Sequence, residues 1–158
     1  MASRDYEEFI AALNANGVRY LVVGAHAVAL HALPRATKDL DIWLDRSPAN
    51  ARRALRALRQ FFHGTDLGYS AADLADPDSI IQLGVAPVRI DLLKSVSGTT
   101  FQTGWKRRAK ARFGAAPAWF LSLEDLIRAK QAAGRAQDRA DVEMLRRVQR
   151  RKRAGRRS

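Results

Sequence analysis

The chain predicts an α+β fold, a small mixed sheet flanked by helices, on three observations. Apolar residues recur at helical spacing near the start, at Tyr6, Phe9, Ile10 and Leu13. Short strand-like runs recur at 18–23, which is apolar with β-branched residues, and at 38–44 and 88–93. Helix signals then return after 122 and continue almost to the end. Helices cover a sheet when both carry one apolar side, so this order of elements describes one layered core.

The elements follow in sequence. A helix over 5–16 is stopped by Gly17, and 18–23 reads as a buried strand ended by Gly24. A small Ala-rich helix over 26–33 closes at Pro34, and 38–44 is the second strand. Ser47-Pro48 starts the next helix, with the hydroxyl as N-cap and proline in the first helical position. Its expected apolar face is Ala51, Leu55, Leu58 and Phe62, with its arginines in water. The stretch 64–77 is polar loop with a helical turn at 71–74, and 79–83 and 88–93 are strands joined by a hairpin-type connection at 84–87. A brief helix at 105–109 precedes an edge hairpin at 110–113 and 118–121. Ser122-Leu123-Glu124-Asp125 has capping-box form and opens a helix to about Ala133. Gly134 breaks it, and a last helix runs over about 137–150.

At 158 residues with 47% apolar content, the chain suits one domain over 1–148, whose C-terminal helical portion spans about 122–148, with a basic tail at 149–158. The absence of cysteine excludes disulfides and thiolate metal sites. No apolar run approaches the length of a membrane span, and the first residues lack the order of a secretory signal, so a cytoplasmic location is expected. The formal charge of +12 is concentrated: eight arginines and lysines lie between 146 and 157, with no acid after Glu143. Such a run is either a solvated end or a phosphate-binding arm.

The chemistry centres on Asp39 and Asp41, one residue apart in a strand. Residues i and i+2 share a face, so both carboxylates project together while Leu40, Ile42 and Leu44 point the other way. Two adjacent carboxylates repel, and a hard divalent ion with oxygen ligands would relieve that; a solvated acidic pair at a strand edge is the plain alternative. Upstream, Gly24-Ala25 lies between a strand and a helix, where a glycine lets the backbone approach a ligand and the helix start offers free N–H groups to phosphate. A tight turn with no ligand explains the same residues. Asp91 sits in the otherwise apolar strand Arg89-Ile90-Asp91-Leu92-Leu93, where an unpaired charge is costly; a shared metal site or a salt bridge to Arg89 would satisfy it. Trp43 shares the carboxylate face, and sheet-covering is its expected role.

Gly24-Ala25, Asp39-Leu40-Asp41 and Asp91 together resemble the three-part signature of the DNA polymerase β-like nucleotidyltransferase superfamily. The longer stretches 22–31 and 35–42, and Leu123-Glu124-Asp125-Leu126-Ile127-Arg128-Ala129-Lys130 followed by Arg135, Asp138 and Asp141, are similar to small bacterial nucleotidyltransferases related to the toxins of abortive-infection toxin–antitoxin pairs. The likeness covers roughly 5–148 and implies a nucleotidyltransferase fold. It implies that Asp39, Asp41 and Asp91 ligate magnesium, two ions in the full site, and that Gly24 and Ala25 face the phosphates. Lys38, Lys130, Arg135 and Asp138 are then nucleotide-binding, and Arg35 and Thr37 contact phosphate or acceptor. Two positions depart from the pattern. Ala25 replaces a Ser or Gly, and Gln137 stands where a basic residue is expected.

The expected activity is magnesium-dependent transfer of a nucleoside monophosphate from a nucleoside triphosphate to an acceptor hydroxyl. RNA, transfer RNA included, is the acceptor class the toxin relatives imply, and a cognate antitoxin protein is the partner they imply. A small antibiotic-type acceptor, or a non-catalytic nucleotide- or RNA-binding module on the same fold, are the alternatives.

Overall fold

The computed structural model describes residues 2–33, 39–85 and 88–157. The described residues form α1 (Ala2–Ala15), β1 (Tyr20–Val23), α2 (Gly24–His31), β2 (Asp39–Leu44), α3 (Pro48–Phe61), β3 (Ile81–Val85), β4 (Val88–Leu93), α4 (Phe101–Lys106), β5 (Ala109–Phe113), β6 (Ala116–Phe120), α5 (Leu123–Ala133) and α6 (Ala136–Arg157). A 3-10 turn lies at Asp73–Ala75. The strands make one mixed sheet in the order β3-β4-β2-β1-β6-β5, so the fold is α+β as expected.

Three pairings position the functional residues. β1 runs antiparallel to β2, β2 runs parallel to β4, and β1 runs parallel to β6. The central strands are therefore β2 and β1; β1 is buried throughout, and in β2 only Asp39 and Asp41 are not fully buried. Leu40, Ile42 and Leu44 join a core that includes Phe9, Ile10 and Leu13 of α1 and Ala54 and Leu58 of α3. The α1 and α3 layers meet edge to face at Phe9 and Phe61, with ring centroids 5.2 Å apart. On the carboxylate face, α4 covers the end of β2. Trp43 meets Phe101 edge-on at 5.3 Å, and a side chain at Gly104 would press on Leu21 and Leu121. Trp43 is thus a core residue, in line with the sheet-covering role.

Several expected boundaries shift for physical reasons. The face of α3 is rotated: Asn50, Ala51, Ala54, Ala57 and Leu58 are buried, while Leu55 and Phe62 are only partly so. Asn50 can be buried because its amide donates to the carbonyls of Arg19 and Asp45 and its oxygen accepts from the Arg19 N–H. The brief helix expected at 105–109 sits earlier, at Phe101–Lys106, because Thr100 caps it by accepting from the Thr103 N–H. Strand β3 lies two residues later than 79–83, and the expected 84–87 connection includes Ala86 and Pro87, outside the described residues. Ser122 caps α5, and Gly134 ends it with φ +67, a conformation glycine adopts without strain. The largest difference is at the end. Within the run read as a basic tail, α6 continues as helix to Arg157. Among the described residues no helix is long and apolar enough to cross a membrane.

Candidate active site

Register brings the three acids together. In the parallel β2–β4 pair, Asp41 stands opposite Asp91 and Asp39 stands opposite Arg89. Residues two apart share a face, so Asp39, Asp41, Arg89 and Asp91 form a square of four charges on one side of the sheet. Asp91 is 9% exposed. The Arg89 guanidinium neutralises part of this charge. Its Nε donates to Asp91 Oδ1 and its Nη2 to Asp91 Oδ2, both at 3.1 Å, and Nη2 lies 3.5 Å from Asp39 Oδ2. The salt bridge weighed for Asp91 is therefore present, and it coexists with the clustering of the acids. Tyr6 holds Arg89 from behind: its hydroxyl donates to the Arg89 carbonyl at 3.2 Å and accepts from the Arg89 N–H at 3.3 Å.

Gly24 completes this side. In the antiparallel β1–β2 pair, Val23 stands opposite Asp41, so the chain leaves β1 beside that carboxylate. Gly24 has φ +66, and a Cβ built on it would fall on Asp41 Oδ2. The carboxylate thus packs against the glycine backbone, and no other residue type leaves that space. Helix α2 begins at Gly24 with no side-chain cap, so its first N–H groups are left for other acceptors. His26, in the first turn, meets the Tyr6 ring edge-on at 5.7 Å.

Across the cleft, α5 and α6 present two cations held by buried acids. Lys130 Nζ lies 3.4 Å from Asp138 Oδ1 and 3.0 Å from Asp141 Oδ2. Arg135 Nε donates to Asp138 Oδ2 at 2.7 Å, and the Arg135 backbone N–H donates to the same oxygen at 3.2 Å. Asp138 therefore caps the start of α6 by accepting from the N–H of Arg135, the residue just before the helix, as the acid of a capping box does. The bond from Arg135 is the first cause holding the Asp138 carboxyl below its ordinary range. Gln137, at the place of an expected cation, donates instead to Asp141 Oδ1 and so steadies the partner of Lys130.

Gly24, Asp39, Asp41, Asp91, Lys130, Arg135 and Asp138 all line one open cleft of about 460 Å3. Ala25 is half-buried in the first turn of α2 and does not line it. Arg35, Thr37 and Lys38 lie outside the described residues. Sequence reasoning missed the cleft's apolar rim, Ile80, Leu93 and Val96, and the clamp of Tyr6 on Arg89. Ile80, 60% exposed beside the carboxylates, was read only as a strand residue. Tyr6 was read only as part of an apolar helical face, and no local signal distinguishes a hydroxyl that reaches a strand 83 residues away.

Electrostatics follows from this packing. Burial first, then Asp91 and Asp39, push the Asp41 carboxyl up to about 6, against the opposing pull of Arg89 and Lys130. Its pKa in the fold lies above the ordinary 3.8, so ionising it works against the fold. The stabilisation is fully present below the ordinary value and is lost as pH rises through about 6. The metal-free protein should therefore melt at a lower temperature at about pH 7 than at about pH 5, by a component absent from Asp41→Asn. Thermal melts of both proteins across that range check this, and an identical pH dependence contradicts it.

Among the described residues, no three His, Cys, Asp or Glu side chains already stand at metal-ligand spacing. The donor chemistry nonetheless fits a hard divalent cation: the set is all carboxylate oxygen, it carries more negative charge than Arg89 balances, and one member is driven toward protonation by burial and then by its acidic neighbours.

A central mixed sheet with an Asp-x-Asp strand, a third acid on the adjoining strand and a glycine turn beside them is compatible with a nucleotidyltransferase-like fold. The family model described as nucleotidyltransferase of unknown function (DUF6036) matches residues 4–149, and the chain belongs to that family. Comparison with curated proteins gives no match.

Proposed function

We propose that the protein transfers a nucleoside monophosphate from a nucleoside triphosphate to an acceptor hydroxyl, with RNA, transfer RNA included, as the acceptor class. The observation that carries this reading is the convergence of Asp39, Asp41 and Asp91 with Gly24, Lys130 and Arg135 on one cleft. The triphosphate lies between the two walls. The Gly24 turn and the free N–H groups of α2 receive phosphate oxygens, and Lys130 and Arg135, fixed by Asp138 and Asp141, balance charge on the opposite wall. Asp39, Asp41 and Asp91 would hold magnesium, which when bound would neutralise triphosphate charge and lower the pKa of the acceptor hydroxyl. The acceptor oxygen attacks the α-phosphorus in line as its proton passes to solvent, the bond from the α-phosphorus to the oxygen bridging to the β-phosphate breaks, and pyrophosphate leaves with that oxygen. The apolar rim at Ile80, Leu93 and Val96 offers a surface to the base.

Similarity to the toxin-related nucleotidyltransferases supports the RNA acceptor and extends the reading to a toxin restrained by a cognate antitoxin. The ion pairs of Arg89 with Asp91 and Asp39 favour a second reading, a non-catalytic nucleotide- or RNA-binding module in which the acids are already satisfied. An acceptor screen separates the two. Each of the four triphosphates, labelled at the α-phosphate, is incubated with the protein, magnesium and total cellular RNA and resolved on a gel. Label in an RNA band supports transfer; no label with any triphosphate, under conditions where the protein binds nucleotide, supports the module.

A further inference from the structure

The strongest charged feature outside the cleft is the second half of α6. Between Arg146 and Arg157 it carries eight cations, seven of them arginine, and from Arg150 onward every described residue is exposed. Among the described residues, Arg147 alone of these eight makes an ion pair, with Glu143 at 2.8 Å. Arg146/Arg150, Arg147/Arg151, Lys152/Arg156 and Arg153/Arg157 are like charges at i,i+4, each of which weakens an isolated helix. Two troughs flank this helix and meet at Gln149 and Arg153. One, about 320 Å3, adds Arg107 at the end of α4; the other, about 510 Å3, adds Arg128 of α5. Glu124, the acid in both, is paired with Arg107 at 3.4 Å.

We propose that these two troughs are a docking surface for the phosphate backbone of a nucleic acid. Chemistry favours that occupant over other anions. Arginine forks match phosphate oxygens in pairs, whereas lysine would serve equally for diffuse attraction, and the helix uses arginine almost throughout. After Val148 the helix carries no large apolar side chain, so it lacks the buried face of a helix lying on a membrane. It also lacks the aromatic or apolar centre of a protein–protein interface. A polyphosphate strand needs neither, and it relieves the repulsion between the stacked arginines.

The placement ties this surface to the cleft. Asp138, in the first turn of α6, lines the cleft and holds Arg135 and Lys130 beside it. At about 1.5 Å per residue, the basic stretch begins roughly 12 Å along the helix from Asp138 and ends roughly 28 Å away. That length matches about five base-pair steps at about 3.4 Å each. A nucleic acid lying along α6 therefore points one end at the carboxylates, so the surface serves as the acceptor platform of the proposed transferase. That last clause rests on the proposed function; the docking itself does not.

The test measures binding of a labelled RNA hairpin to the full chain, without nucleotide or metal, at several salt concentrations across about 50–200 mM. It compares the unmodified protein with Arg146→Gln/Arg150→Gln/Arg153→Gln and with Arg52→Gln/Arg53→Gln/Arg56→Gln on α3, each checked for folding by thermal melt. The α6 variant should bind at least about tenfold more weakly and lose about 2 to 3 units of log–log salt slope, as expected for three phosphate contacts, while the α3 variant stays near the unmodified protein. Unchanged affinity and slope in the α6 variant overturn the proposal. So does equal binding of polyglutamate or of anionic vesicles in competition with the hairpin. Salt-dependent docking on α6 together with no label transfer in the acceptor screen would overturn the proposed function alone; transfer to RNA with an unchanged α6 variant would overturn the docking surface alone.

Discussion

Replacing Asp39 and Asp41 together by alanine should leave the protein folded and reduce label transfer by at least about a thousandfold, equivalent to roughly 4 kcal/mol of transition-state stabilisation. Folding survives because neither side chain belongs to the apolar core: Leu40, Ile42 and Leu44 on the opposite face carry the strand's packing. Removing Asp41 also removes a carboxylate that burial and Asp91 disfavour in its ionised form, so the variant should be no less stable near neutral pH than the unmodified chain. Activity falls because the remaining acid, Asp91, is held by Arg89 and cannot alone assemble a hard-cation site. Thermal melts and the transfer assay, run side by side, check both halves. A double variant that retains even a tenth of the transfer rate would remove these acids from the chemistry.

Substituting Gly24 should be the second most damaging change, for a steric reason rather than a chemical one. Gly24→Ala forces a side chain into positive φ and onto the Asp41 carboxylate. The backbone strain is of order 1–3 kcal/mol, and the overlap adds to it. Either Asp41 or the turn must move, and each displaces a wall of the cleft. Gly24→Ala should therefore lower the melting temperature and reduce transfer by about a hundredfold or more, as small misplacements of reacting groups do. Gly17, also at positive φ but with open space around it, is the control. Gly17→Ala should show the strain without the loss of transfer. Equal activity of Gly24→Ala and the unmodified protein would mean that the close packing of glycine on Asp41 has no functional weight.

What could be read from the sequence divides by range. The shared face of Asp39 and Asp41 was legible because strand alternation is local and has a period of two. The caps at Ser47 and Ser122 and the stop at Gly134 were legible because capping depends on residues within one turn. The pairing of β4 beside β2 in parallel was not legible from local pattern, since it joins residues about fifty positions apart; Asp91 was singled out by the cost of a charge in an apolar strand and by resemblance. The rotated face of α3 escaped because Asn50 reads as polar surface, and only distant carbonyls make its burial tolerable. The helical end of α6 escaped because a stretch of arginines and lysine interrupted after Val148 only by Gln149, Ala154 and Gly155 has no apolar period, although arginine itself is a good helix former.

The account turns on divalent metal and a triphosphate sharing the carboxylate face. Binding of a non-hydrolysable triphosphate analogue, measured by calorimetry with and without manganese, tests that most directly. Tight binding should require the metal in the unmodified protein and disappear in both Asp41→Asn and Asp91→Asn. Binding of equal strength without metal, or undiminished binding by either variant, would contradict it.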